Sequence, residues 1–153
     1  MGDLGFWALA REDPDHLALV TPEGAELSAG ALLGRANQVV HGLRGLGLET
    51  GDVVATVLPN GTEAIELYLA CLQAGWYLVP INHHLVAPEI AYILSDSGAK
   101  VFVAHDRFAD ACVDAADDAE IPGTACLAVG DITGFTPYAR MRDTQPTTLP
   151  ENR

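Results

Sequence analysis

Between Gly51 and His105 the chain reads GDVVATVLPNGTEAIELYLACLQAGWYLVPINHHLVAPEIAYILSDSGAKVFVAH, in which short β-forming runs alternate with helix-patterned segments without interruption. That rhythm predicts βαβαβ, two crossover units sharing a middle strand, and so a mostly parallel sheet. The run from Val53 to Leu58 is almost continuously apolar, as suits a strand covered on both faces. Asn60 and Glu63 form an N-x-x-E arrangement that predicts a capped helix running to about Ala74. Ile65, Leu69 and Leu72 fall on one side of that helix and Ala64, Tyr68 and Cys71 on a neighbouring one, so a wide apolar arc is expected to face the core. Gly75 stops the helix, and Tyr77 to Ile81 forms the next strand. Pro80 lacks an N–H and belongs at a strand end or sheet edge. Pro88, the Ile90, Ile93 and Leu94 face, and Gly98 bound a third helix before the strand Val101 to Ala104.

The flanks extend the same pattern. Asp3 is a candidate cap for a short first helix carrying Phe6, Leu9 and Ala10, which Asp13-Pro14 ends. Ala18 to Val20 and Ala25 to Leu27 flank the turn tetrapeptide Thr21-Pro22-Glu23-Gly24, which predicts a small amino-terminal hairpin. Ser28 then caps a helix whose Leu32, Ala36, Val39 and Leu43 recur on one face. Downstream, Asp106 is expected to cap a helix with Phe108, Ala111, Cys112 and Ala115 inward and Asp110, Asp114, Asp117, Asp118 and Glu120 outward. A strand from Ala125 to Val129 and a short helix near Tyr138 to Arg142 follow. From Thr144 the sequence turns polar and Pro-containing, as a linker does. The fold class expected is α/β, with alternating βαβ units, a mostly parallel sheet and the small hairpin.

Composition narrows the function classes. With 153 residues, 49% of them hydrophobic and 19% charged, the chain suits one packed domain or part of a larger one. A compact chain of this length buries about 68–70% of its unfolded surface. A net charge of −13 with dispersed Lys and Arg repels phosphate backbones and anionic membranes, so no nucleic-acid partner is expected. Cys71, Cys112 and Cys126 are odd in number and show no C-x-x-C spacing, which fits a reducing, cytoplasmic compartment and no zinc knuckle. MGDLGFWALARED is no signal peptide, and no apolar run reaches the roughly 18 to 20 residues of a membrane span.

Motifs that carry chemistry are sparse. The glycines from Gly45 to Gly51 precede a strand instead of joining strand to helix, so they read as a helix stop and not as a dinucleotide loop. G-x-x-x-x-G-K-[ST], G-x-S-x-G and H-E-x-x-H do not occur. His83-His84 follows a parallel-type strand, at the carboxyl edge where open α/β sheets place ligands. Adjacent residues on an irregular segment seldom share a metal, so the pair reads as a solvated loop or as a contact for a ligand phosphate. His105-Asp106 has the composition of an acid–base pair, but helix capping accounts for Asp106 without chemistry. Cys71 reads as a small buried hydrophobe. No catalytic residue and no metal site are expected in this chain.

Asp15 to Val20, Leu27-Ser28 through Leu32, Gly51-Asp52, Leu58-Pro59-Asn60, Leu72 to Asn82 and Glu89 to Lys100 together resemble the amino-terminal part of the adenylate-forming acyl-CoA synthetases. The resemblance implies a parent enzyme that uses ATP, Mg and CoA to activate a carboxylic acid, a fatty acid by expectation, as acyl-AMP and to pass it to CoA. It implies that residues 1–143 are the front of the large domain and 144–153 a linker toward a phosphate loop. That loop, the adenine-binding segments and the catalytic lysine would lie beyond Arg153, so the chain alone is expected to bind none of these cofactors and to be inactive. Where some members have Asn-Pro-Arg-Leu, with the Arg near the CoA nucleotide phosphates, this chain has Asn82-His83-His84-Leu85, which makes His84 a candidate CoA phosphate contact. A fragment of this kind would leave apolar surface uncovered and favour self-association. The alternative is a free-standing α/β ligand-binding or regulatory module complete in itself.

Overall fold

The computed structural model describes residues 5–151. Its centre is β3 (Val53–Val57), which pairs in parallel with β4 (Tyr77–Pro80) on one side and with β5 (Val101–His105) on the other. β6 (Cys126–Val129) and a short β7 (Thr136–Pro137) continue the sheet beyond β5, giving the order β4-β3-β5-β6-β7 with every pair parallel. The separate hairpin is β1 (Leu17–Val20) against β2 (Glu26–Ser28), antiparallel around the Thr21-to-Gly24 turn. β4 is an edge strand and Pro80 its last residue, where a missing N–H leaves no ladder bond unmade.

Because side chains alternate along a strand, the sheet feeds two cores. Val54, Val101, Val103 and Leu127 face a helical layer of α2 (Ala29–Gly45), α3 (Thr62–Ala74) and α6 (Tyr138–Asp143). Ala55, Val57, Phe102, Ala104, Cys126 and Ala128 face α4 (Ala87–Ser97) and α5 (Ala109–Asp118). Both faces are covered, as the nearly continuous apolarity of β3 predicts, and each fully buried Val or Leu contributes about 1.5–3 kcal/mol. α2 begins where expected, with Ser28 Oγ accepting the Ala31 N–H at 3.2 Å, and Leu32, Ala36, Val39 and Leu43 are all buried. Gly42 lets α6 come close, because a Cβ there would collide with Met141. α4 has Pro88 in its first turn, Glu89 accepting the Val86 N–H, and Gly98 left-handed at φ 65° at its end. The first helix is α1 (Phe6–Glu12); the proposed cap Asp3 lies outside the described residues.

Three local expectations are corrected. α3 buries Leu69 and Cys71 from the expected arc, but Ile65, Tyr68 and Leu72 are exposed. Its inner face is completed by Glu66, Leu67, Ala70, Gln73 and Ala74. An apolar residue on every face gave the period no preferred direction, and buried partners for Glu66 and Gln73 settle the rotation. Asn60 does not cap α3; Gly61 holds the N-cap position with no side-chain bond. Asp106 does not cap α5 either. It opens a 3-10 turn, Asp106–Phe108, in which the His105 ring accepts the Arg107 N–H.

A polar seam crosses the α2–α3–α6 layer. Glu66, fully buried, accepts from Tyr138 Oη at 2.9 Å and from Arg142 Nη1 at 3.1 Å, with Arg35 Nη1 at 3.4 Å. Farther along α3, Trp7 Nε1 donates to Gln73 Oε1, Gln73 Nε2 to Asn37 Oδ1, and Asn37 Nδ2 to the Thr147 carbonyl. Residues 145–151 therefore lie as a strap along α2. Gln38, His41 and Arg44 bond the backbone carbonyls of Gln145, Thr148 and Glu151 at 2.9, 2.9 and 2.6 Å. Among the described residues no helix is long and apolar enough to cross a membrane.

Candidate functional site

The strand order dictates where a ligand can sit. The connection from β3 runs toward β4 through α3 on one face, whereas the connection from β5 runs toward β6 through α5 on the other. Between β3 and β5 the carboxyl-end loops therefore diverge and leave a crevice, the position at which open α/β sheets bind ligands. A cleft of about 540 Å³ occupies it. Its walls are the Leu58-to-Ala64 segment after β3, His105 at the end of β5 and Arg107 beyond it, Val129 of β6 and the Thr21-Pro22-Glu23 turn of the hairpin.

His105 is held tightly. Its Nδ1 accepts the Arg107 N–H at 3.1 Å and lies 3.0 Å from Asp106 Oδ1. Asp106 Oδ2 accepts the Asp131 N–H at 3.3 Å, tying the loop after β5 to the loop after β6. The left-handed Gly130, at φ 88°, permits that approach, since a Cβ there would strike the Asp106 carboxylate. His105 and Asp106 thus meet as the sequence suggests, but the ring is the cap and the carboxylate is a bridge between loops.

Phe108 organises a second, adjoining surface. The His83 ring stacks on it at 4.6 Å and 14°, His84 lies 4.2 Å from His83, and the Arg107 guanidinium stands 5.5 Å from the Phe108 centroid. A hollow of about 340 Å³ beside it is lined by His83, Asp106, Arg107 and Phe108 among others. His84 is exposed at the outer edge of this cluster and lines neither hollow; its N–H bonds Asn82 Oδ1 at 3.0 Å. Arg107, which the sequence reading did not single out, borders both. Its signal was available, a guanidinium two residues past a parallel strand.

This arrangement places the Arg107 guanidinium and imidazoles beside open space together with carboxylates, Asp106 and Asp110 at the outer hollow and Glu23 and Glu63 at the cleft. It offers no metal set, since among the described residues no three His, Cys, Asp or Glu side chains come together to hold an ion. None of the three cysteines lines either hollow. Cys71 and Cys112 are pushed up to about 12 and Cys126 to about 11, in each case first by burial. Burial, and after it the charge of Glu66, likewise hold the Tyr138 phenol well above its ordinary value.

The family model described as AMP-binding enzyme matches residues 6–149. A feruloyl-CoA synthase of Amycolatopsis is 39% identical over 102 residues, 65% of this chain and 21% of that protein. The long-chain-fatty-acid–CoA ligase FadD13 of Mycobacterium tuberculosis is 44% identical over 68 residues, 44% of this chain and 14% of that protein. Among solved structures, the anthranilate CoA ligase AuaEII in complex with anthranoyl-AMP superposes with a TM-score of 0.82 at 28% identity, covering 94% of this chain and 28% of that one. The chain thus spans about a fifth of the length of the feruloyl-CoA synthase it matches. With the family model matching nearly end to end and the α/β architecture shared, this chain belongs to the AMP-binding enzyme family.

Proposed function

We propose that this chain is the amino-terminal portion of an acyl-CoA ligase that joins a carboxylic acid to CoA through an acyl-adenylate. The observation that carries the reading is the AMP-binding family match over residues 6–149. It weighs against a free-standing module. In the reaction proposed for the parent, a carboxylate oxygen attacks the α-phosphorus of ATP, and the bond from that phosphorus to the bridging oxygen breaks to release pyrophosphate. The CoA sulfur then attacks the acyl carbon, and AMP departs with the electron pair of the C–O bond. Magnesium would neutralise phosphate charge in the first step.

No adenylation step is assigned to the residues present. Their contribution is a sheet edge whose rim carries both charges, Arg107 beside Asp106 and Asp110. At that rim His84 is the proposed contact for a CoA phosphate. Replacing His84 by Ala in the parent is expected to raise KM for CoA without changing KM for the acid; an unchanged KM for CoA retires the contact. We assign the acid to the fatty acids, supported by the 44% identity to the long-chain-fatty-acid ligase, with an aromatic acid of the feruloyl type as competitor. The compartment proposed is the cytoplasm.

The test is a chimera in which this chain replaces the matched stretch of the Amycolatopsis feruloyl-CoA synthase. A folded chimera that exchanges pyrophosphate into ATP when given acid supports the reading, whereas a folded chimera with no exchange overturns it. The chain by itself is expected to show no exchange.

A further inference from the structure

Groups from α1, α3, α2 and the strap form one line of hydrogen bonds. Trp7 Nε1 donates to Gln73 Oε1 at 3.3 Å, Gln73 Nε2 to Asn37 Oδ1 at 3.0 Å, and Asn37 Nδ2 to the Thr147 carbonyl at 2.9 Å. Gln73 and Asn37 are 6% and 3% exposed, so bulk water does not replace a partner that either one loses.

The two ends of the line have fixed polarity. An indole N–H can only donate and a peptide carbonyl can only accept, whereas a carboxamide presents a donor on one side and an acceptor on the other. The amide pair therefore has two internally consistent settings. In the observed one all three donors point from α1 toward the strap, and every contact is made. With both amides turned over, Gln73 and Asn37 still bond each other, but an amide N–H faces the indole N–H and an amide oxygen faces the Thr147 oxygen. The ends select the setting. Losing the indole removes a bond from the observed setting and an opposition of donors from the other, so the grip of Asn37 on the strap weakens. α1 is itself a light attachment. Its seven residues, Phe6–Glu12, pack through Phe6 and Trp7 against α2 and Leu69 of α3. A helix that short does not persist in water on its own, so α1 is either docked or lost.

We propose that the Gln73–Asn37 amide pair is a relay coupling the docking of α1 to the docking of the strap, so that whatever lifts α1 from α2 loosens residues 145–151. Coupling of this kind is reciprocal, and loosening the strap must in turn loosen α1. The relay uses only residues of this chain and stands apart from the ligase reading.

The test is hydrogen exchange on the whole chain carrying Trp7→Phe, which keeps an aromatic ring against α2 and removes the indole donor. Exchange over residues 145–151 is expected to quicken by about threefold or more, while β3 and β5 stay protected. Unchanged strap exchange, or an equal rise in β3 and β5, overturns the proposal. A double-variant cycle separates the relay from loss of packing. Acting through the relay, Trp7→Phe adds nothing to the effect of Asn37→Ala. With Gln38→Ala, whose bond to the Gln145 carbonyl lies outside the relay, the two factors multiply. Factors that multiply with Asn37→Ala as well overturn the proposal. The reverse direction is read at the indoles. In Asn37→Ala the Trp7 Nε1–H is expected to exchange about threefold faster or more, with the buried Trp76 indole of the same chain as control. An unchanged Trp7 indole overturns the proposal, and does so even where Trp7→Phe fails to fold.

Discussion

Tyr138 Oη donates to Glu66 Oε2 at 2.9 Å across 72 positions of sequence, pinning α6 to α3 through a carboxylate with no exposed surface. Arg142 Nη1 reaches both oxygens of the same carboxylate at 3.1 Å. Glu66→Ala would leave a phenol and a largely buried guanidinium facing an empty site. Removing one partner of a buried pair costs about 3–5 kcal/mol. A urea titration of the variant is expected to show that loss, whereas Tyr138→Phe, which keeps the Arg142 pair, should lose about 1–2 kcal/mol.

The same phenol sets an alkaline limit. Burial, followed by the Glu66 charge, raises Tyr138 well above 10.0. The folded chain therefore keeps a proton that the unfolded chain gives up. The stability this group contributes is fully present below pH 10 and declines as pH rises beyond it. In an ultraviolet titration the Tyr138 phenol is expected to ionise only on unfolding. Four tyrosines ionising together in a folded chain would contradict this.

None of the three thiols should react in the native state. Cys71, Cys112 and Cys126 are buried and, with values near 11 to 12, almost wholly protonated at neutral pH. Ellman's reagent is expected to detect no thiol until denaturant is added, and then all three. Fast labelling of a folded sample at pH 8 would show one of them to be accessible.

Asn37 joins the α3 seam to the strap, accepting from Gln73 and donating to the Thr147 carbonyl. Asn37→Ala leaves both groups without that partner, at a cost of about 1–3 kcal/mol. Hydrogen exchange and proteolysis over residues 145–151 should accelerate by about tenfold or more, while β3 and β5 stay protected. A uniform increase across the whole chain would mean that Asn37 supports global stability and not the strap.

How far these features were legible follows from what kind of signal each leaves. β3, with its nearly continuous apolar run, and α2, with Ser28 ahead of a single apolar face, could be read directly, because one pattern had one solution. α3 could not be oriented in this way, since Leu69 and Cys71 are as apolar as Tyr68 and Leu72. What turned it was Glu66, whose partners Tyr138 and Arg142 lie 72 and 76 positions away. Capping failed where a loop had another use for the side chain: Asn60 lines the cleft and Asp106 reaches Asp131. The carboxyl edge of the sheet was foreseeable, but the crevice was not, because strand spacing does not reveal that β5 returns past β4 to lie beside β3. His83 and His84 were accordingly noticed ahead of Arg107.

The placement of β3 between two later strands also bears on synthesis. Nothing earlier in the chain can satisfy its edges, so the first ladder of this sheet must await Tyr77–Pro80, and the second must await Val101–His105. As the polypeptide emerges from the ribosome, Val53–Val57 is an apolar segment left unmatched until some twenty further residues have followed, the interval between Val57 and Tyr77. Over that interval the nascent chain is at its most vulnerable to capture or mispairing.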